Sequence, residues 1–199
     1  MNLGLNLAKG FILAGESNGS DIALAVARLY ADGQPLSPPL TGLYLACPMV
    51  MNKDTVPEKY RECFVSMDQN ADAPVLTSES IQFLQCMFSS FDDIVPCPGS
   101  DLPRHAALYK PDLSSPLALP ILFPDHSRWP RTYFQICGMD PLRDGGLIFA
   151  QILEDCGVEV KTDIFPGLPH CFWGAFMHAA FTKKHTIDLA AGLRWLLAA

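Results

Sequence analysis

Apolar residues along this chain gather into short runs separated by glycine- and proline-rich stretches, and the character of the runs alternates. Gly10 to Ala14 (GFILA) is a short apolar run of the kind that forms a buried strand. Gly15 to Gly19 reads as a sharp turn, and Ser20 to Ala31 (SDIALAVARLYA) as a helix rich in Ala and Leu, closed by Asp32-Gly33. After the proline-rich connector QPLSPPL comes Leu40 to Val50, whose continuous apolar character predicts a second strand covered on both faces. Asn52 to Pro120 is irregular. It contains a helix from Ser78 to Ser90, with Ser78 placed as N-cap, and turn-rich stretches VPCPGSDLP and PDLSSPLALP. Regularity returns with the strand RTYFQICG from Arg131, a turn at Asp140 to Gly145, and an amphipathic helix from Leu147 to Cys156 that Gly157 ends. Val158 to Phe165 alternates as a strand does, PGLPHCFW is a loop, and Thr186 to Leu197 is a closing helix.

Strands and helices taken in turn predict an α/β fold: a parallel sheet with helices on both faces. We read residues 1–199 as one domain, with 52–120 as an irregular, cap-like excursion that would line a pocket. Composition narrows the function classes. An apolar share of 49% with 18% charged residues is that of a globular protein. A formal charge of −7, with no cluster of Lys or Arg, argues against nucleic acid or an anionic membrane as the main partner. No apolar run approaches the roughly 20 residues of a membrane span, and the opening residues lack the pattern of a secretory signal. The seven cysteines are scattered without a CxxC pair, which fits free thiols in a reducing compartment and a cytoplasmic location.

Gly15-Glu16-Ser17-Asn18-Gly19 fits G-x-S-x-G. A serine on a tight strand-to-helix turn has its hydroxyl thrust into the open, and flanking glycines leave room for the turn. The pattern is weak by itself, since any strand–turn–helix junction can carry a small polar residue. Its context, an apolar strand before and a helix after, strengthens it. A serine hydroxyl needs a base. Asp140 follows the strand RTYFQICG, and His170 lies in the loop after VEVKTDIF, so acid and base come in the chain order this arrangement uses. His170 would accept the Ser17 proton, and Asp140 would hold the imidazole tautomer. The bland alternatives are a helix-initiating turn at Asp140 and a surface loop histidine at His170; order and placement together favour the triad. His105, His126, His178 and His185 show no metal-ligand spacing and read as structural or surface residues. Asp21 and Asp144 fit first-turn helix positions, and Cys171 reads as packing.

Four segments carry a resemblance: Gly15 to Gly19, Asp112 to Leu117 (DLSSPL), Asp140 to Asp144 (DPLRD) and Gly167 to Phe172 (GLPHCF). With them the chain resembles the C-terminal part of an α/β-hydrolase of the hormone-sensitive-lipase-like group (α/β-hydrolase-3). KGFILAGESNGS and SPPLTGLYLACP are similar to fungal members related to versiconal hemiacetal acetate esterases. The resemblance implies a carboxylic-ester hydrolase without metal or organic cofactor, acting on a small-molecule ester, with Ser17 as nucleophile, Asp140 as acid and His170 as base. It also implies an HGGG-type loop before the serine, which this sequence does not contain; of the oxyanion donors only the Asn18 N–H is then expected. Asn18 and Ser20 depart from the family's usual Ala and Gly. Without preceding strands, the first strand would lie at a sheet edge, and an exposed apolar surface there predicts self-association. The competing expectation is a truncated, catalytically inactive homologue acting at most as a binding module.

Overall fold

In a computed structural model of the chain, residues 9–33, 39–89 and 112–198 are described. VPCPGSDLP, His105 and most of the connector QPLSPPL lie outside them. Strand β1 (Ile12–Glu16) leads into helix α1 (Asn18–Asp32), followed by β2 (Gly42–Ala46). Within the excursion come a 3-10 turn at Glu58–Cys63, α2 (Ser66–Gln69) and α3 (Ser78–Ser89). Then β3 (Thr132–Met139), α4 (Arg143–Asp155), β4 (Val160–Pro169), the short α5 (Phe172–Ala175) and α6 (Ala180–Leu197) complete the order. All pairings are parallel and the strand order is β1-β2-β3-β4, so β1 is an edge of this sheet.

Helices cover both faces, as the alternation of runs predicts. Leu43, Leu45, Phe134 and Ile136 point to one face, where Ala23, Leu24 and Ala27 of α1 meet Ile148, Phe149 and Leu153 of α4. Successive strand residues turn to the opposite face, and there Tyr44, Ala46 and Tyr133 pack under Leu189, Leu193 and Leu196 of α6. Each fully buried Leu or Phe contributes about 1.5–3 kcal/mol. The second face also hides a polar chain: Tyr44 Oη donates to Gln135 Oε1 (2.6 Å), Gln135 Nε2 to Tyr133 Oη (2.7 Å), and Tyr133 Oη to Asp163 Oδ2 (2.6 Å).

Several boundaries differ from the sequence-based expectation. β1 runs on through Gly15 and Glu16, so the sharp turn is Ser17 itself. β2 stops at Ala46 because Cys47 takes a left-handed φ of 47° before Pro48. Thr77, not Ser78, caps α3: its Oγ1 accepts the Ser80 N–H at 3.0 Å. α4 starts at Arg143, taking in Arg143 to Gly145, expected as turn; a side chain at the next residue, Gly146, would press on Ile136 at 3.2 Å. β4 continues through the expected loop to Pro169, and α6 begins at Ala180 rather than Thr186.

Hydrogen bonds tie the excursion to the loop after β3 and to the start of α4. Asp144 Oδ2 accepts the backbone N–H groups of Val65 (2.8 Å) and Ser66 (2.6 Å), and Ser66 Oγ donates to Pro141 O (2.7 Å). Asn70 Nδ2 donates to the carbonyl of Asp140 at 3.0 Å, and Arg143 bridges Gly138 O and Gln69 Oε1 at 3.1 and 2.7 Å. Asp144 is therefore more than a first-turn helix charge. It clamps the irregular segment to the loop that carries Asp140.

Candidate active site

Ser17 stands alone between β1 and α1 with φ 51° and ψ −128°. A left-handed φ is uncommon for a residue with a side chain and costs about 1–3 kcal/mol. Hydrogen bonds hold it: Ser17 N–H donates to Ala46 O (2.8 Å), and Ser17 O accepts the Ser20 N–H (2.9 Å). A Cβ at Gly15 would lie 2.1 Å from Gly19 O, so the turn closes only over glycine there. At Gly19 a Cβ would meet no described atom within 4 Å, so the expected crowding applies to the first glycine alone. Ser20 is fully buried, and its Oγ donates to Gly15 O (2.8 Å) and Ala46 O (3.1 Å), joining the ends of β1 and β2 beneath the serine. Asn18 is exposed and opens α1, so its N–H lies in the first turn, where no intrahelical acceptor exists.

Asp140 follows β3 directly and is 1% exposed. Its Oδ1 accepts the Leu142 N–H at 2.9 Å and its Oδ2 the Nδ1–H of His170 at 2.7 Å. His170 reaches this position through an irregularity in β4. Cys137 pairs with Phe165 and Met139 with Pro169, so β4 spends two extra residues over that step. A bulge of this kind bends the strand and re-aims the residues beyond it. His170 is itself buried. Burial pushes the Asp140 pKa up to about 6 against the opposing hydrogen bond from His170. For His170 burial acts downward, but the hydrogen bonds and charges of Asp140 and Cys47 outweigh it and raise the imidazole above its ordinary value.

A second link joins the elbow to the histidine loop. Trp173 Nε1 donates to Glu16 Oε1 at 2.8 Å, beside Ser17 in sequence. Trp173 stacks on the buried His185, centroids 4.2 Å apart and planes within 7°. His185 thus packs inside, His126 accepts from Trp129 Nε1 at 3.3 Å, and His178 is exposed.

Of the three residues the sequence singles out, Asp140 and His170 meet directly. Ser17 sits just past β1, with β2 between it and β3, and among the described residues no hydrogen bond joins its hydroxyl to His170. Sequence reasoning missed three features here: the Ser20 bridge, the Glu16–Trp173 tether and a group of thiols around the imidazole. The thiols of Cys47 and Cys171 and a ring nitrogen of His170 all lie within 4.8 Å of one another. Cys47 Sγ is also 3.4 Å from Cys137 Sγ. Only the adjacency of Cys171 to His170 was visible in one dimension.

The chain matches the α/β-hydrolase-fold family over residues 5–174. It is 30% identical over 196 residues to an AB hydrolase superfamily protein of Schizosaccharomyces pombe, covering 98% of this chain and 51% of that protein. It is 28% identical to the versiconal hemiacetal acetate esterase of Dothistroma septosporum, covering 94% of this chain and 51% of the esterase. The crystal structure of vibralactone cyclase superposes with a TM-score of 0.80 at 30% identity, covering 96% of this chain and 50% of the cyclase. The chain thus spans about half the length of the relatives it matches. With its parallel sheet, its serine elbow and a family match reaching from Leu5 to Gly174, the chain belongs to the α/β-hydrolase-fold family.

Proposed function

We propose that the chain carries the nucleophile, base and acid of a carboxylic-ester hydrolase, in Ser17, His170 and Asp140. The observation that supports this most is a strained, left-handed Ser17 and a buried His170–Asp140 couple, 2.7 Å apart, each just past a strand end of one parallel sheet. Asp140 fixes the imidazole with Nδ1–H inward, leaving Nε2 as the base. On substrate binding, the Ser17 hydroxyl gives its proton to Nε2 as its oxygen attacks the ester carbonyl; such hydrogen bonds commonly tighten only in the complex. The alcohol leaves with that proton. Water then deacylates the enzyme, giving its own proton to His170 as it attacks, and His170 returns that proton to the Ser17 oxygen as the acid leaves. The Asn18 N–H, at the positive end of α1, stabilises the oxyanion. Relatives named for hydrolysing an acetate ester support a small acyl group, and their fungal sources support a role in fungal secondary metabolism.

Initial rates on p-nitrophenyl acetate and butyrate, with Ser17→Ala alongside, test the reading. Turnover lost in the variant supports it. Absence of turnover above Ser17→Ala, from folded protein, overturns it in favour of an inactive binding module. A second reading, intramolecular acyl transfer, rests on the likeness to vibralactone cyclase. It predicts the same Ser17 dependence, but with a lactone rather than a free acid as the product of a hydroxy-ester.

A further inference from the structure

We propose that Cys47, Cys171 and His170 form a binding site for a thiophilic d10 cation, Zn²⁺ above all, with Cys137 in reach as a fourth ligand. The inhibition it would cause rests on the hydrolase reading; the binding does not.

Four donors from three parts of the sheet converge. Cys47 ends β2, Cys137 lies in β3, and His170-Cys171 follow β4. The donor atoms of Cys47, His170 and Cys171 lie within 4.8 Å of one another, and the Cys47 and Cys137 sulfurs are 3.4 Å apart. With Zn–S bonds of about 2.3 Å, tetrahedral geometry sets ligand sulfurs roughly 3.8 Å apart. The Cys47–Cys137 pair is already near that edge length, and closing the widest pair takes a contraction of about 1 Å.

The surroundings match what such a site requires. A metal-ligating histidine usually donates its other N–H to a carboxylate, and His170 Nδ1–H already does so to Asp140 at 2.7 Å. Nε2 is then the ligating nitrogen. Thiolate with imidazole is a donor set that favours Zn²⁺ over hard cations such as Mg²⁺ or Ca²⁺. Among the described residues, four without the freedom of glycine have positive φ, and two of them, Cys47 and Cys171, are ligands of this site. Cys47 and Cys137 are buried while Cys171 is half-buried, which gives an ion one side of approach. On binding, the ligand atoms give up to solvent the protons they carry, so that the cysteines coordinate as thiolates and His170 as the neutral imidazole. No electron is transferred. The Nε2 lone pair that would take the Ser17 proton is then occupied, so the bound ion switches the site off.

The test is a titration of the reduced, chelator-treated protein with Cd²⁺ alone, followed by its thiolate-to-metal charge-transfer absorption, and then displacement by Zn²⁺. One ion per chain is expected. Cys47→Ser and Cys171→Ser should each weaken binding by more than the about 10–100-fold typical of losing an outer-shell partner. Cys63→Ser, at an exposed thiol away from the cluster, should leave it unchanged. Circular dichroism checks that each variant is folded, and Cys→Ala replacements stand in for any that are not. No charge-transfer band at stoichiometric Cd²⁺, or a band undiminished in both cluster variants, overturns the proposal. So does loss of the band in Cys63→Ser. If the protein hydrolyses esters, Zn²⁺ inhibition should follow the binding midpoint. A binding protein without turnover would refute the hydrolase reading and leave the metal site standing.

Discussion

Replacing Asp140 by Asn tests the proposed triad without changing the shape of its buried acid. Asp140 uses both oxygens: Oδ1 for the Leu142 N–H at 2.9 Å and Oδ2 for His170 Nδ1–H at 2.7 Å. Asparagine keeps one acceptor and turns the other into a donor. If its oxygen faced His170, its amide N–H would face the Leu142 N–H, stranding a buried donor at a cost of about 1–3 kcal/mol. If its oxygen stays on Leu142, the NH₂ faces Nδ1, and the ring relieves the clash by moving its proton to Nε2. The second arrangement costs less, so the variant should fold with the wrong tautomer. A base already protonated at Nε2 cannot accept the serine proton. In Ser–His–Asp triads this loss is about 10⁴ in turnover, equivalent to about 5.4 kcal/mol of barrier. The assay is initial rates on p-nitrophenyl acetate for the wild type, Asp140→Asn and Ser17→Ala. ¹⁵N-histidine spectra should show a protonated Nδ1 in the wild type and a protonated Nε2 in the variant. Turnover within tenfold of wild type, or an unchanged tautomer in folded protein, would refute the reasoning. The spectra decide the structural half even if wild-type turnover is low.

Five further outcomes are expected. Asp21 is buried with Oδ1 on the Met49 N–H (3.1 Å) and Oδ2 unpaired among the described residues, and burial pushes its pKa up to about 8 against that one hydrogen bond. Between its ordinary 3.8 and about 8 the folded chain then holds a proton the unfolded chain has released. Stability should fall with rising pH by up to about 1.4 kcal/mol per unit in that window; urea unfolding from pH 5 to 8 should show this slope flatten in Asp21→Asn, and parallel slopes would contradict it. Asp144→Ala strands the Val65 and Ser66 N–H groups and should cost about 3–5 kcal/mol in urea unfolding. Gly192→Ala sets a Cβ 2.0 Å from the fully buried Tyr133 ring and should cost at least about 1–3 kcal/mol. Gly174→Ala, with open space around it, should stay within about 0.5 kcal/mol. Ile22 and Leu29, both 58% exposed on α1 beside the edge strand, should drive self-association; light scattering should show a mass above 21.8 kDa that Ile22→Lys with Leu29→Lys lowers. A concentration-independent monomer in the wild type would rule this out.

The topology could be read from the chain because each central element has one unambiguous habit. Leu43 to Ala46 and Thr132 to Cys137 are buried throughout, and only a sheet covered on both faces asks for that. Boundaries failed where punctuation residues serve a packing need. Asp140 to Gly145 looks like a turn, yet α4 begins at Arg143 and brings Gly146 against Ile136 and Pro48. Pro166 and Pro169 look like a loop, yet β4 is the other edge of the sheet, where a missing N–H is tolerated. α6 starts at Ala180 behind an Ala179 N-cap that offers no side-chain hydrogen bond, so no sequence signal marks its beginning. The clamp made by Asp144 was hidden because its partners are backbone N–H groups in a segment with no periodicity of its own.

The same contrast separates the two halves of the site. Ser17, Asp140 and His170 can be found in one dimension because a parallel sheet puts every strand's C-terminal end on one side. A residue just past a strand is therefore already addressed to that side. Cys47 and Cys171 obey the same rule, one just past β2 and the other just past β4, and Cys137 lies two residues short of the end of β3. What their spacing withheld is chemical, not topological. Metal ligands are recognised in sequence by short intervals, and here the intervals are a sheet's width of chain. Strand ends that make the proposed triad legible thus also bring thiols to its proposed base. A metal titration and an ester assay on the same protein would show which chemistry the convergence serves.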